Sequence, residues 1–128
     1  MSGHDPNRER TAAELAAVKR LNAIARTLPE VTETRDGFGH TVFKVGKKSL
    51  VFVGDDDGRV WLSLNVDRET QRFLIAHGGF ERTPYIGQHG WTSHEATRAT
   101  DWEHIAELMR ESYRRVAPKR LLKLLETA

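Results

Sequence analysis

Cysteine is absent from the 128 residues, which excludes disulfide staples, thiolate metal sites and thiol nucleophiles and suits a cytoplasmic setting. No apolar run approaches the roughly 18 residues that a membrane span needs. The opening segment, MSGHDPNRER, lacks the apolar stretch of a signal peptide. An excess of one charge is missing as well. Lys+Arg 20 against Asp+Glu 18 leaves +2, so any contact with a polyanion has to come from where the cations sit rather than from their total. What is present is 38% hydrophobic and 30% charged residues, a globular composition in a chain long enough to bury about two thirds of its unfolded surface. Residues 1–10 are polar and without period, and read as a loose tail; 11–128 read as one domain.

The first periodic segment opens at Thr11-Ala-Ala-Glu14, a capping box, and carries Leu15, Val18, Leu21, Ala25 and Leu28 at helical spacing. Pro29 closes it, because the residue before a proline avoids the helical region. The period then shortens to two. Thr41–Val45, Ser49–Val53 and Arg59–Val66 are rich in β-branched and aromatic residues, with turns predicted at Gly46-Lys47-Lys48 and across Gly54–Gly58. Along the last of these strands Val60, Leu62, Leu64 and Val66 share one face and Trp61, Ser63 and Asn65 the other, as in a sheet covered on one side. Asp67 caps a predicted short helix over 68–76, and Gly78-Gly79 ends it. An extended region follows from Arg82 to about Thr97. A second capping box, Thr100-Asp-Trp-Glu103, opens a helix with Trp102, Ile105, Ala106, Met109, Tyr113 and Val116 on one stripe, and Pro118 leads into a last short helix. The order predicts an α+β fold: an antiparallel meander sheet with helices packed on one face.

The segments Pro84-Tyr-Ile-Gly-Gln-His-Gly-Trp91, Asp101-Trp102 and Ser112-Tyr-Arg-Arg-Val-Ala-Pro-Lys119, together with Leu28-Pro29-Glu30 and the Phe43–Lys48 hairpin, resemble the MmcQ/YjbR family of small bacterial proteins. The resemblance runs from about residue 18 to 125. It implies a CyaY-like fold with a double-wing arrangement of hairpins, and DNA binding. One position departs from the family pattern: Asn65 stands where many members carry Lys near the end of the third strand.

The residues point to binding rather than catalysis. No G-x-S-x-G elbow occurs, Gly46-Lys47 is followed by Lys48 where a P-loop needs Ser or Thr, and Gly37-Phe-Gly39 lacks the third glycine of a dinucleotide turn. No catalytic residue, cofactor or metal is assigned. The histidines show no ligand spacing, and the first helix mixes Glu14 with Lys19, Arg20 and Arg26, so it bears no acidic ridge. Lys44, Lys47 and Lys48 cluster in one hairpin, Arg59 opens a strand, and Arg82 and Trp91 lie in the later extended region. These six are the expected nucleic-acid contacts, with phosphates meeting the cations and a base stacking on Trp91. The second basic set, Arg110, Arg114, Arg115, Lys119, Arg120 and Lys123, reads as the solvated face of a helix whose dipole favours cations at its end. Trp102 and Tyr113 read as core. The alternative to DNA is a protein-interaction or small-ligand surface around Tyr85, Trp91 and the strand face bearing Trp61.

Overall fold

A computed structural model describes residues 9–127, so most of the expected tail, residues 1–8, lies outside the described residues. The element order is α1 (Ala12–Ala25), β1 (Val31–Arg35), β2 (Thr41–Val45), β3 (Lys48–Asp56), β4 (Arg59–Asn65), α2 (Arg68–Ala76), β5 (Glu81–Arg82), β6 (Trp91–Glu95), α3 (Trp102–Val116) and α4 (Lys119–Thr127), with one turn of 3-10 helix at Gly87–His89. The strands form one antiparallel sheet in the order β1-β2-β3-β4-β6-β5. Since β6 is antiparallel to both β4 and β5, β5 runs parallel to β4, and a parallel return needs a crossover. Helix α2 supplies it. The fold is α+β, as the element order predicts.

The caps behave as the sequence requires, with one shift. Thr11 Oγ1 accepts from the Glu14 amide at 3.1 Å, and Asp67 Oδ1 from the Thr70 amide at 2.7 Å. In α3 the N-cap is Asp101 rather than Thr100, accepting from the His104 amide at 3.2 Å. Thr100 is drawn outward instead, where its hydroxyl meets His94 Nε2 at 3.0 Å and accepts from the Thr97 amide at 2.8 Å. The amide of Thr70 holds the Asp67 carboxyl below its ordinary range, with a smaller contribution from the Arg115 charge. A carboxylate held low in the native state adds stability above its unfolded pKa, and that gain is lost as pH falls through the folded value. Asp67→Ala should therefore cost about 1 kcal/mol near neutrality. In urea titrations the gap to wild type should close below about pH 4.

Helices α1 and α3 pack on one face of the sheet. The core joins Val18, Leu21 and Leu28 to Phe43, Val51, Val53, Leu62 and Leu64 and to Ile105, Met109, Tyr113 and Leu121. Leu15, expected on the buried stripe of α1, is 48% exposed, while Glu14 beside it is fully buried. The buried apolar stripe of α1 begins later, at Ala17 and Val18. Strand β1 is an addition to the predicted elements: Val-Thr-Glu-Thr-Arg has one apolar residue and no amphipathic alternation, and it is a strand because β2 pairs with it from Arg35 to Val31. The turn expected across Gly54–Gly58 shrinks to Asp57-Gly58, both at positive φ (56° and 85°), the two-residue hairpin turn that Asp-Gly favours. Strand β3 therefore extends to Asp56.

Candidate functional site

Strand alternation divides the sheet into two unlike faces. The valines and leucines of β3 and β4 point at α1 and α3, and the residues between them, Phe52, Trp61, Ser63 and Asn65, point to the other side. No helix among the described residues packs on that second face through the core; it is floored instead by its own rings and hydroxyls. Phe52 of β3 and Trp91 of β6 lie with ring centroids 5.2 Å apart, although β4 runs between them. They meet because the β4 residue opposite Phe52 is Ser63, too small to separate them. His40 continues the row, 5.3 Å from Phe52, and Phe38 follows at 6.2 Å. Asp36 sets the entry to β2 by accepting from the His40 amide and meeting its Nδ1 at 3.0 Å.

Beneath the rings the hydroxyls satisfy one another. Thr83 Oγ1 and Ser93 Oγ are 2.7 Å apart, and Ser93 Oγ and Ser63 Oγ 3.0 Å. All three residues are buried, so this chain of hydroxyls supports the surface rather than offering free donors.

The lysines of the β2–β3 hairpin gather at one end of the sheet. Successive hairpins of an antiparallel sheet turn at alternate ends, so the β2–β3 tip and the β5–β6 loop share one end, and the β1–β2 and β3–β4 turns share the other. At the first end Lys44, Lys47 and Lys48 make no ion pair among the described residues. Gly46 (φ 60°) takes the first position of the two-residue turn and leaves Lys47 and Lys48 exposed at its tip. Lys44 is half-buried on the open face, opposite Ser49; Asn65 reaches the Ser49 carbonyl at 3.1 Å and is itself opposite Trp91. The row Lys44, Asn65, Trp91 thus crosses the sheet at its basic end.

The six sequence-predicted residues are not all brought together. Lys44, Lys47, Lys48 and Trp91 share the basic end. Arg59 lies at the other, beside the Asp55-Asp-Asp57 turn, with its guanidinium 2.7 Å from Glu95 and 5.0 Å above the Trp61 ring. The hydrogen bond from Arg59 holds Glu95 below the ordinary carboxylate range. Arg82 is opposite Thr92, one step out of phase with Trp91, and its side chain lies against Gly87. Only one of the hairpins expected to be basic is so. The structure also adds a cation. Arg115, read from the sequence as part of a solvated helix face, donates to Asn65 Oδ1 at 2.7 Å, so the end of β4 receives a guanidinium from α3. No spacing in the sequence joins residues 65 and 115; only the packing of α3 on β4 does.

Among the described residues no group of histidines and carboxylates could hold a metal, and no helix is long and apolar enough to cross a membrane. A cleft of about 890 Å³ between α1 and the segment entering α3, floored by Val60 and bordered by Arg20 and Trp102, lies on the helical side and contains none of the predicted residues.

A family model described as YjbR matches residues 26–115. Among solved structures, that of the Deinococcus radiodurans protein DR2400, described with the domain DUF419, is similar, with 28% identity, a TM-score of 0.67 and coverage of 85% of this chain and 87% of that one. No curated protein matches the chain. The matched span takes in every strand, α2 and nearly all of α3, which together build the open face and its basic end; the chain belongs to the YjbR family.

Proposed function

We propose that this protein binds nucleic acid on the open face of its sheet, with phosphates held by Lys44, Lys47 and Lys48 and bases set against the Trp91 side of the aromatic row. The observation that carries this reading is that Lys44, with Lys47 and Lys48 at the adjoining tip and none of them in an ion pair among the described residues, lies at the same end of the sheet as the half-buried indole of Trp91, and that Lys44 and Trp91 share the face the helices leave uncovered. Flexible ammonium groups at a hairpin tip can follow a backbone of fixed charge, and an aromatic ring offers stacking to any base. The acidic end, with Asp36 and Asp55–Asp57, repels phosphate and so gives the surface a direction. Arg59 is already committed to Glu95 and adds little.

Fluorescence anisotropy of a labelled oligonucleotide at several salt concentrations tests this. Each phosphate contact contributes about 0.9 to the log-log salt slope on duplex and about 0.7 on single strands. Lys47→Gln/Lys48→Gln should flatten the slope by about 1.4 to 1.8, and Arg59→Gln should leave it unchanged. Absence of binding at low salt would defeat the reading and favour the protein-interaction or small-ligand surface around Tyr85, Trp91 and Trp61.

A further inference from the structure

From the arrangement of charge and rings at the basic end, and resting on the reading above, we infer that the strand it takes is single, laid across the sheet from the Lys47-Lys48 tip to Tyr85, which stacks on the last base.

Tyr85 is the most exposed large hydrophobic side chain among the described residues, at 94%, and it is held there by a strained backbone. Its φ is 68°, and the amide of Ile86 donates to the Pro84 carbonyl at 2.8 Å, closing a three-residue turn around it. That turn, with a positive central φ, is rare for a residue with a side chain, and such strain persists only where the surroundings enforce it. Here they do. Gln71 of α2 donates to the carbonyls of Gly87 (2.9 Å) and Trp91 (3.0 Å), Arg68 to that of Gln88 (2.7 Å), and the Thr83 amide to that of Trp91 (3.1 Å). The loop is braced at both ends while its aromatic ring contacts almost nothing. An apolar ring fixed in water gains nothing for the fold, and nothing in the turn geometry requires Tyr rather than Gly.

The loop lies at the same end of the sheet as Lys47 and Lys48. Between β2 and β5 the sheet runs four strand spacings, about 19 Å, with Lys44, Asn65 and Trp91 along the way. This is a path for an extended backbone with a cation cluster at its start and rings at its middle and end. It suits a duplex poorly. Two wings gripping one duplex must project from the same end. At one end the β1–β2 and β3–β4 turns carry Asp36 and Asp55–Asp57 and would set carboxylates against phosphates. At the other end the basic β2–β3 tip is accompanied by the β5–β6 loop, residues 83–90, which carries no Lys or Arg to grip a second stretch of phosphates. Bases in a duplex also keep their faces stacked on one another, out of reach of Trp91 and Tyr85, whereas a single strand exposes them.

Two probes decide the matter: a labelled single strand of about twelve nucleotides and the duplex made by annealing its complement, titrated under the same low-salt buffer against wild type, Tyr85→Gly, Tyr85→Phe and Lys47→Gln/Lys48→Gln. The single strand should bind at least about tenfold more tightly than the duplex. Tyr85→Gly should weaken single-strand binding about tenfold, one lost stacking contact, while Tyr85→Phe retains it. Glycine accepts the positive φ without strain, so the thermal midpoint of Tyr85→Gly should equal or exceed that of wild type, which a structural role for the tyrosine would not allow. Duplex binding as tight as single-strand binding, still lost in the double lysine variant, would overturn this inference and leave the nucleic-acid reading standing. Unchanged single-strand affinity in Tyr85→Gly would overturn the role of Tyr85. Failure of both probes to bind would defeat the reading itself, and the inference with it.

Discussion

Replacing Gly90 with alanine is expected to lower the thermal midpoint by more than about 10 °C, from a loss of about 3–5 kcal/mol. Two effects combine. Gly90 has φ 95°, which costs a residue with a Cβ about 1–2 kcal/mol. A Cβ built there would also lie 2.1 Å from the Val66 carbonyl oxygen, a backbone atom that cannot swing away as a side chain could. To relieve the overlap, the start of β6 must separate from the end of β4. That strains the Val66 amide bond to the Gly90 carbonyl and shifts Trp91, whose carbonyl accepts from Thr83 and Gln71. Gly58 is the proper comparison, since its φ of 85° is nearly as unusual but nothing lies within 4 Å of a Cβ placed there. Gly58→Ala should cost only the conformational part, about 1 kcal/mol. Differential scanning calorimetry of the two variants separates the terms, and equal losses would refute the steric account.

Tyr113→Ala should destabilise by about 3–5 kcal/mol, the cost of removing a large ring from a packed core. Tyr113 is fully buried, and its hydroxyl donates to the Pro29 carbonyl at 2.8 Å, so one side chain of α3 holds the chain where α1 gives way to β1. Burial raises the phenol's pKa above its ordinary value, which keeps it a donor across the working pH range. Tyr113→Phe keeps the ring and loses the hydrogen bond, leaving the Pro29 carbonyl to find another donor; about 1–2 kcal/mol is expected. Urea midpoints of the pair give both values. A Phe variant as unstable as the Ala variant would show that the hydroxyl, not the ring, carries the contact.

Much of the fold is legible in the residues themselves because the relevant interactions are short in sequence. Thr11 and Asp67 cap helices within three residues of themselves, Asp57-Gly58 makes its turn from its own two dihedral preferences, and the alternation Val60, Leu62, Leu64 against Trp61, Ser63, Asn65 states which side of β4 is wet. Strand β1 is not legible. Thr32, Glu33 and Thr34 have no pattern of their own, and their conformation comes from hydrogen bonds that β2 supplies. The cap of α3 is Asp101 rather than the expected Thr100, because His94, a residue of β6, takes up the threonine hydroxyl.

The candidate site divides in the same way. That lysines gather at residues 44, 47 and 48 follows from the sequence, since one hairpin carries all three. Whether Arg59, Arg82 and Arg115 join them is a question of register and packing. Pairing places Arg59 at the far end against Glu95 and turns Arg82 out of phase with Trp91, and the docking of α3 brings Arg115 to Asn65. Local dihedral preferences and periodicity thus determined the elements and their amphipathic faces, because each depends on neighbours a few bonds away. Which charges share a surface, and which ring is left uncovered, was decided by the tertiary structure, because those relations join residues that are dozens of positions apart and meet only when the sheet is assembled.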